Sequence, residues 1–185
     1  TSAADNYWSS VTYGGGIFVA TSTTGNGNRV MTSSDGITWT SRASAANNGW
    51  WGVTYGDGTF VAVSDTGLGN RVMTSPNGID WTSQSSAANN RWWGVTYGDG
   101  IFVAVSYTGR GNRVMTSPDG IAWTRQTSAA DNDWSSVTYG DGFFVAVSGS
   151  GTDNRVMNFN TWTSHKSAAD NSWQSVTYGN SIFVA

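Results

Sequence analysis

The sequence repeats itself with an almost fixed period. The pentapeptide Ser-Ala-Ala-Asp/Asn-Asn begins five times, at Ser2, Ser44, Ser86, Ser128 and Ser167. Successive starts are 42, 42, 42 and 39 residues apart, and the last interval is short because a turn between Met157 and Trp162 is trimmed. A period of this length is typical of chains that stack one small structural unit many times. The period therefore constrains the architecture before any local pattern is considered.

One unit, residues 50–84, contains four short strand patterns. Strands A (50–55) and B (60–64) flank Gly-Asp-Gly, which is a hairpin signal. Strands C (71–75) and D (around 80–82) flank Pro-Asn-Gly, which suits a tight turn. Strand B is apolar almost without alternation, and this indicates burial on both faces.

Four strands in each repeat predict an all-β fold, a β-propeller of four-stranded blades of about 42 residues. A β-solenoid is the alternative, although its coils usually take fewer residues and strands. The composition agrees, because Glu is absent and Lys and Leu occur once each, which leaves few strong helix formers. The predicted single domain, residues 1–185, has four full blades and the inner half of a fifth: 2–43, 44–85, 86–127, 128–166 and 167–185.

Charge and composition exclude several classes of partner. The net charge is −3 with no basic block, so nucleic acid is not expected to bind. No apolar run approaches the length of a membrane span. The chain has no Cys, one His (His165) expected at the surface, and no initiator Met or signal peptide, which indicates processing or excision from something longer. We expect no cofactor and no metal; Asp-Asn pairs such as Asp5-Asn6 could offer oxygen ligands to Ca²⁺, but loop capping is the favoured role.

The turn between strands C and D carries a motif with a known relative. Its forms at 33–39 and 117–123 read Ser-Ser-Asp-Gly-Ile-Thr-Trp and Ser-Pro-Asp-Gly-Ile-Ala-Trp. These turns resemble a shortened Asp-box, the Ser-x-Asp-x-Gly-x-x-Trp turn of sialidase-like β-propellers. The whole repeat resembles those of bacterial secreted and surface propellers, which implies an extracellular or cell-surface location. Asn77 replaces the Asp in the second blade, and the fourth blade lacks the turn.

The resemblance does not carry an activity with it. Sialidases need a Tyr nucleophile activated by Glu, and this chain has no Glu. The arginines at 29, 71, 113 and 155 recur once per blade instead of forming one cluster. No pair of Asp residues stands out from the repeats as a glycosidase pair would. We therefore expect a protein that is not an enzyme, with no catalytic residues.

The long polar loops suggest a binding surface. In an antiparallel blade the B–C loops and D–A connections share one face, so Gly, Asn, Arg and Trp recur around one rim. Aromatic rings and planar polar groups are what a sugar needs, and repeated weak sites gain avidity. The predicted function is a lectin-like extracellular binding module for glycans or cell-surface polysaccharide. The same residues could instead cap loops, brace carbonyls or fill the core between blades. The candidate ligand-binding residues are Asn48, Trp50, Asn70, Arg71, Asn90, Trp92, Asn112, Arg113, Asn132 and Trp134.

The alternative prediction is a structural protein. The fifth blade would leave an apolar strand at an open edge, and such edges pair with other chains. Pairing of this kind is heterologous, so it would form a ring or a growing filament. The predicted assembly edge is Ile182, Phe183, Val184 and Ala185.

Overall fold

The structure, a computed structural model, describes residues 2–159 and 162–185. Asn160 and Thr161 of the trimmed turn, and Thr1, lie outside them. Strands are the only regular elements in the described part of the chain. In chain order they are β1 (Trp8–Gly14), β2 (Ile17–Ser22), β3 (Val30–Ser33), β4 (Thr40–Arg42), β5 (Trp50–Gly56), β6 (Thr59–Ser64), β7 (Val72–Ser75), β8 (Thr82–Gln84), β9 (Trp92–Gly98), β10 (Ile101–Ser106), β11 (Val114–Ser117), β12 (Thr124–Gln126), β13 (Trp134–Gly140), β14 (Phe143–Ser148), β15 (Val156–Phe159), β16 (Thr163–His165), β17 (Thr177–Gly179) and β18 (Ile182–Val184).

These strands form four antiparallel four-stranded sheets and one two-stranded sheet. Each four-stranded sheet is a simple meander, with β1 to β4 as blade 1, β5 to β8 as blade 2, β9 to β12 as blade 3 and β13 to β16 as blade 4. The hairpin β17–β18 is the half-blade, blade 5. The predicted all-β propeller fold, with four full blades and an incomplete fifth, is confirmed.

Neighbouring blades pack face to face with strand A on the inside. Strands β1, β5, β9, β13 and β17 contact one another in that order. Between blades 1 and 2, Val19 and Val30 of one sheet pack against Trp50 and Met73 of the next, and all four are buried. Equivalent clusters lie between blades 2 and 3 and between blades 3 and 4. The apolar runs of strand B are thus explained, since each sheet is covered on both sides.

The A–B hairpins turn as their sequence predicts. Asp57 and Gly58 have φ of 45° and 73°, so both central residues are left-handed, as a type I′ turn requires. Asp99–Gly100 and Asp141–Gly142 repeat this geometry. These turns match the right-handed twist of the flanking strands, so the register of each A–B pair is fixed locally.

The C–D turn is closed by a side chain. One carboxylate oxygen of Asp35 accepts hydrogen bonds from the backbone N–H groups of Ile37 and Thr38, at 2.8 and 2.7 Å, and from the Ser33 hydroxyl at 2.9 Å. In blade 2, Asn77 Oδ1 accepts a hydrogen bond from the backbone N–H of Asp80 in the same way. Strand D was predicted around residue 80 but starts at Thr82 in blade 2, because the backbone of residue 80 is held by the turn.

The Asp35 turn makes a pH-dependent contribution to stability. Hydrogen bonds from the backbone of Thr38 and Ile37, and from the Ser33 hydroxyl, lower the pKa of Asp35 to about 2 from its ordinary value of 3.8. A group with a depressed folded pKa stabilises above its unfolded pKa, and the stability is lost as pH falls toward the folded value. We expect Asp35→Asn to lose less stability than the wild type between pH 4 and pH 2, measured as the urea midpoint, because Asn77 closes the same turn without titrating. Equal losses in both proteins would contradict this assignment.

Candidate functional site

The tryptophans predicted to bind ligand lie in the core. Trp50, Trp92 and Trp134 have no exposed surface. Each indole Nε1–H donates to a backbone carbonyl four residues earlier, at 3.0 to 3.1 Å. The prediction is therefore corrected for these three residues: they fill the space between blades, where no ligand can reach the ring faces.

The predicted asparagines join loop to loop. Asn48, Asn90 and Asn132 are each 7% exposed, and each Nδ2–H donates at 2.8 Å to a carbonyl of the next B–C loop. The accepting carbonyls at the first two positions belong to Asn70 and Asn112. In these five residues the amides fasten the D–A connection to the B–C loop, which corrects their prediction as sugar ligands.

The predicted arginines brace the same loops. Arg71 donates from Nε to the Gly67 carbonyl at 2.8 Å, and from Nη1 to the carbonyls of Asp65 and Asn90 at 2.7 and 2.9 Å. Arg113 donates in the same way to the carbonyls of Gly109 and Tyr107, and it also reaches the Asp133 carboxylate at 2.9 Å. Burial lowers the pKa of Arg71 from its ordinary value. The donors of these guanidinium groups bind loop carbonyls and a carboxylate of the protein itself. The prediction that Arg71 and Arg113 contact a ligand is therefore corrected as well.

A different set of residues points toward the propeller axis. In blades 1 to 4 the pairing of strands A and B skips one residue of strand A, which is a β-bulge. The skipped residues are Ser9, Trp51, Trp93 and Ser135. A bulge leaves its extra residue out of the ladder and re-aims the side chain. We call these four, with Gln174 at the equivalent place in blade 5, the bulge residues.

The bulge residues surround a cavity between the five inner strands. This axial cavity has a volume of about 320 Å³. All five bulge residues line it, and so do the residues that follow them: Ser10, Gly52, Gly94, Ser136 and Ser175. Residues from all five blades thus contribute to one space, which is lined by both hydroxyl groups and indole rings.

The indoles belong to an aromatic stack at the long-loop end of the cavity. The rings of Trp51 and Trp93 lie 4.6 Å apart at 15°, and Tyr107 stacks on the other side of Trp93 at 4.6 Å and 24°. The Arg91 guanidinium carbon is 6.0 and 5.6 Å from the Trp93 and Tyr107 ring centroids. Arg91 also pairs with Asp65 at 3.1 Å. A guanidinium group thus lies beside the Trp93 and Tyr107 end of the stack.

Two donors of this stack are unused. The Nε1–H groups of Trp51 and Trp93 are buried and have no hydrogen-bond partner among the described residues. By contrast, Trp50 and Trp92, one residue earlier, have theirs satisfied. An unsatisfied buried N–H costs about 1–3 kcal/mol.

Sequence reasoning missed the bulge residues, although the signal was present. The repeats are nearly identical, yet this position reads Ser, Trp, Trp, Ser and Gln. The preceding loop position also varies, as Tyr7, Gly49, Arg91, Asp133 and Ser172. A single binding site at the axis usually breaks the symmetry of its repeats, and the bulge residues meet at the axial cavity.

The predicted assembly edge lies on blade 5. Ile182 and Val184 are 57% and 53% exposed, and Phe183 packs its ring on Tyr178 at 4.8 Å. Strand β18 ends at Val184, so Ala185 lies just beyond it.

The described residues contain no group of three His, Cys, Asp or Glu that could hold a metal ion, and no helix suited to crossing a membrane.

Known structures share this architecture. YCF48 from Cyanidioschyzon merolae superposes with a TM-score of 0.65 at 15% identity, covering 94% of this chain and 60% of its own. The propeller in a nidogen/laminin complex gives 0.71 at 12%, covering 96% and 71%. The Bombyx mori GH32 β-fructofuranosidase BmSUC1 gives 0.55 at 12%, covering 96% and 53%. No family model and no curated protein matches the sequence. Together with its own sheets, these likenesses establish the chain as a β-propeller.

Proposed function

We propose that this chain is a non-enzymatic binding module and that its ligand is a carbohydrate, bound at the axial cavity. One observation carries the proposal. Two adjacent positions of each blade at which the repeats differ line one cavity, and two of the residues there are tryptophans whose N–H donors have no partner among the described residues. The proposed site therefore consists of the bulge residues and not of the loop residues that the sequence suggested.

The chemistry of the cavity suits a sugar. A sugar presents C–H bonds that rest on aromatic rings, and hydroxyl groups that both accept and donate hydrogen bonds. Trp51 and Trp93 bring indole rings to the cavity, and Ser10, Ser136 and Gln174 bring polar groups to the same space. A volume of about 320 Å³ lies at the small end of the range of ligand pockets, which favours the terminal residues of a glycan.

Two further considerations support the proposal. The carboxylate-closed C–D turn supports kinship with Asp-box propellers, and with it an extracellular or cell-surface location where polysaccharides are displayed. Among the structural neighbours, the Bombyx mori enzyme has a form in complex with sucrose and YCF48 has a form bound to D1 peptide. At 12% identity these examples support binding by propellers in general.

The decisive variant is Trp93→Ala. We expect a glycan array to identify a ligand, and Trp93→Ala to weaken its binding at least tenfold, or about 1.4 kcal/mol, because a ring that lines the cavity and supports Trp51 is lost. Tryptophan fluorescence titration and calorimetry would measure this. Trp39→Ala is the matched control, since Trp39 lies in the C–D turn of blade 1 and not in the axial cavity.

Two outcomes would contradict the proposal. One is an array without any bound glycan. The other is a bound glycan whose affinity is unchanged by both Trp93→Ala and Trp51→Ala while circular dichroism shows an intact fold.

A further inference from the structure

Neighbouring blades are joined by one repeated contact. Gly14, at the end of strand β1, lies under the ring of Tyr55 from blade 2, so closely that a Cβ at this glycine would come within 3.0 Å of ring atoms. The same contact recurs between each later pair of blades. The pairs are Tyr97 on Gly56, Tyr139 on Gly98 and Tyr178 on Gly140. We call this the Tyr–Gly contact; it always joins the tyrosine of one blade to the glycine of the preceding blade.

One tyrosine and one glycine of this series have no partner of the other kind. Tyr13 of blade 1 is 59% exposed. Gly179 of blade 5 has no described atom within 4 Å of the place where a Cβ would stand. The molecule therefore presents one unpaired tyrosine at one end and one unpaired glycine at the other.

Blade 1, which carries Tyr13, has an apolar groove on its open face. In the later blades the equivalent surface is covered by the preceding blade. This blade-1 groove has a volume of about 730 Å³ and includes Trp8, Val11 and Met31. Trp8 is only half-buried, whereas its equivalents Trp50 and Trp92 are fully covered by the preceding blade. The groove is thus a copy of a surface that is occupied elsewhere in the same chain.

The internal copies also show what fits the groove. A Cβ at Gly78 of blade 2 would meet Val19 at 2.7 Å and Ile17 at 2.9 Å, both from blade 1. At Gly36, the equivalent in blade 1, the nearest atoms are 3.5 Å away and belong to Phe18 of its own blade. An occupant that repeats the contact between blades 1 and 2 therefore brings an isoleucine and a valine in the register of Ile17 and Val19; the valine recurs between blades 2 and 3, where Val61 lies 2.6 Å from a Cβ at Gly120.

Blade 5 carries that pair. Ile182 and Val184 occupy the places of Ile17 and Val19 in the repeat, and both are more than half exposed. They stand on the strand that pairs with β17, where Gly179 pairs with Ile182. Gly179 and these two apolar side chains thus lie together on one hairpin.

We propose that the blade-1 groove binds the blade-5 hairpin of a second copy of this chain, repeating between molecules the contact that joins blades within one. Tyr13 of one copy then covers Gly179 of the next, while Ile182 and Val184 enter the groove. The contact joins two different surfaces, so it either closes into a ring or grows by addition of copies. It uses sheet faces, which distinguishes it from pairing along the edge of β18.

The experiment is the concentration dependence of native mass, by light scattering and analytical ultracentrifugation of the whole chain. We expect the mass of the wild type to rise above that of one chain, and Gly179→Ala to weaken association at least tenfold, because the new Cβ would stand inside the Tyr13 ring. The substitution leaves the fold undisturbed, since Gly179 meets no described atom and has no left-handed φ. Tyr13→Ala should weaken association as well. Tyr7→Ala, which removes another exposed tyrosine, should not.

A wild type that remains monomeric at every concentration would overturn the proposal. So would assembly that neither Gly179→Ala nor Tyr13→Ala weakens. Glycan binding is read separately through Trp93, so the failure of one proposal leaves the other standing.

Discussion

Gly98→Ala is expected to lower the free energy of unfolding by about 3 kcal/mol or more, at the upper end of the range for overpacked sites. Gly98 ends strand β9 in the middle of the molecule, and a Cβ there would stand within the ring of Tyr139 from blade 4. The ring cannot move away easily, because it packs on Phe144 with centroids 4.8 Å apart. For a chain of this size, the loss corresponds to a fall in Tm of about 6–12 °C.

Gly179→Ala is the matched control for that loss. It makes the same change at the equivalent position of blade 5, where the added methyl group meets open space. Replacing Gly by Ala in a compatible conformation stabilises by about 0.4–1 kcal/mol through the unfolded chain. The two variants should therefore move the urea midpoint in opposite directions at low protein concentration. Equal effects would show that the Tyr–Gly contact does not hold the blades together.

Trp92→Ala is expected to destabilise by about 3–5 kcal/mol, the usual range when a fully buried tryptophan is removed. Trp92 has no exposed surface and belongs to the core between blades 2 and 3. Its loss opens a cavity and removes the hydrogen bond from Nε1 to the Ala88 carbonyl. Chemical denaturation followed by far-ultraviolet circular dichroism would measure the change.

The neighbouring residue provides the contrast. Trp93 is half-buried and lines the axial cavity, so Trp93→Ala should cost less stability than Trp92→Ala and more ligand affinity. Of these two adjacent residues, Trp92 is thus expected to stabilise the core and Trp93 to bind the ligand. If Trp92→Ala left stability unchanged and abolished glycan binding, the roles of the two residues would have to be exchanged.

Much of the fold follows from local patterns. The strands of each blade were predicted within a few residues, because their turns are governed by short-range chemistry. Asp57–Gly58 must adopt left-handed φ, and Asp35 closes its turn with its own carboxylate. Strand D was placed too early, since the hydrogen bond from the backbone of Asp80 to Asn77 extends the turn. The core role of the once-per-blade tryptophans was weighed from sequence, yet three of them were assigned to the ligand.

The candidate site was beyond local reasoning for a geometric reason. Neighbouring residues of a strand face opposite sides, so Trp92 and Trp93 could not both enter the core. Which of the two does so depends on the bulge that removes residue 93 from the ladder with β10. That bulge is visible only once the strands are paired. The side chain of the bulge residue lines a cavity only because five blades meet around one axis.

The sequence by itself thus determined the repeat, the strands and the turns, because these rest on contacts within one unit of about 42 residues. The propeller class followed from the four strands in each repeat. Only the tertiary structure decided which residues face the axis, which asparagines and arginines are consumed by the loops, and which tyrosine and glycine remain unpaired. The physical reason is that these properties belong to contacts between units. Nearly identical repeats carry the same local information, and their places in the assembled molecule make them different.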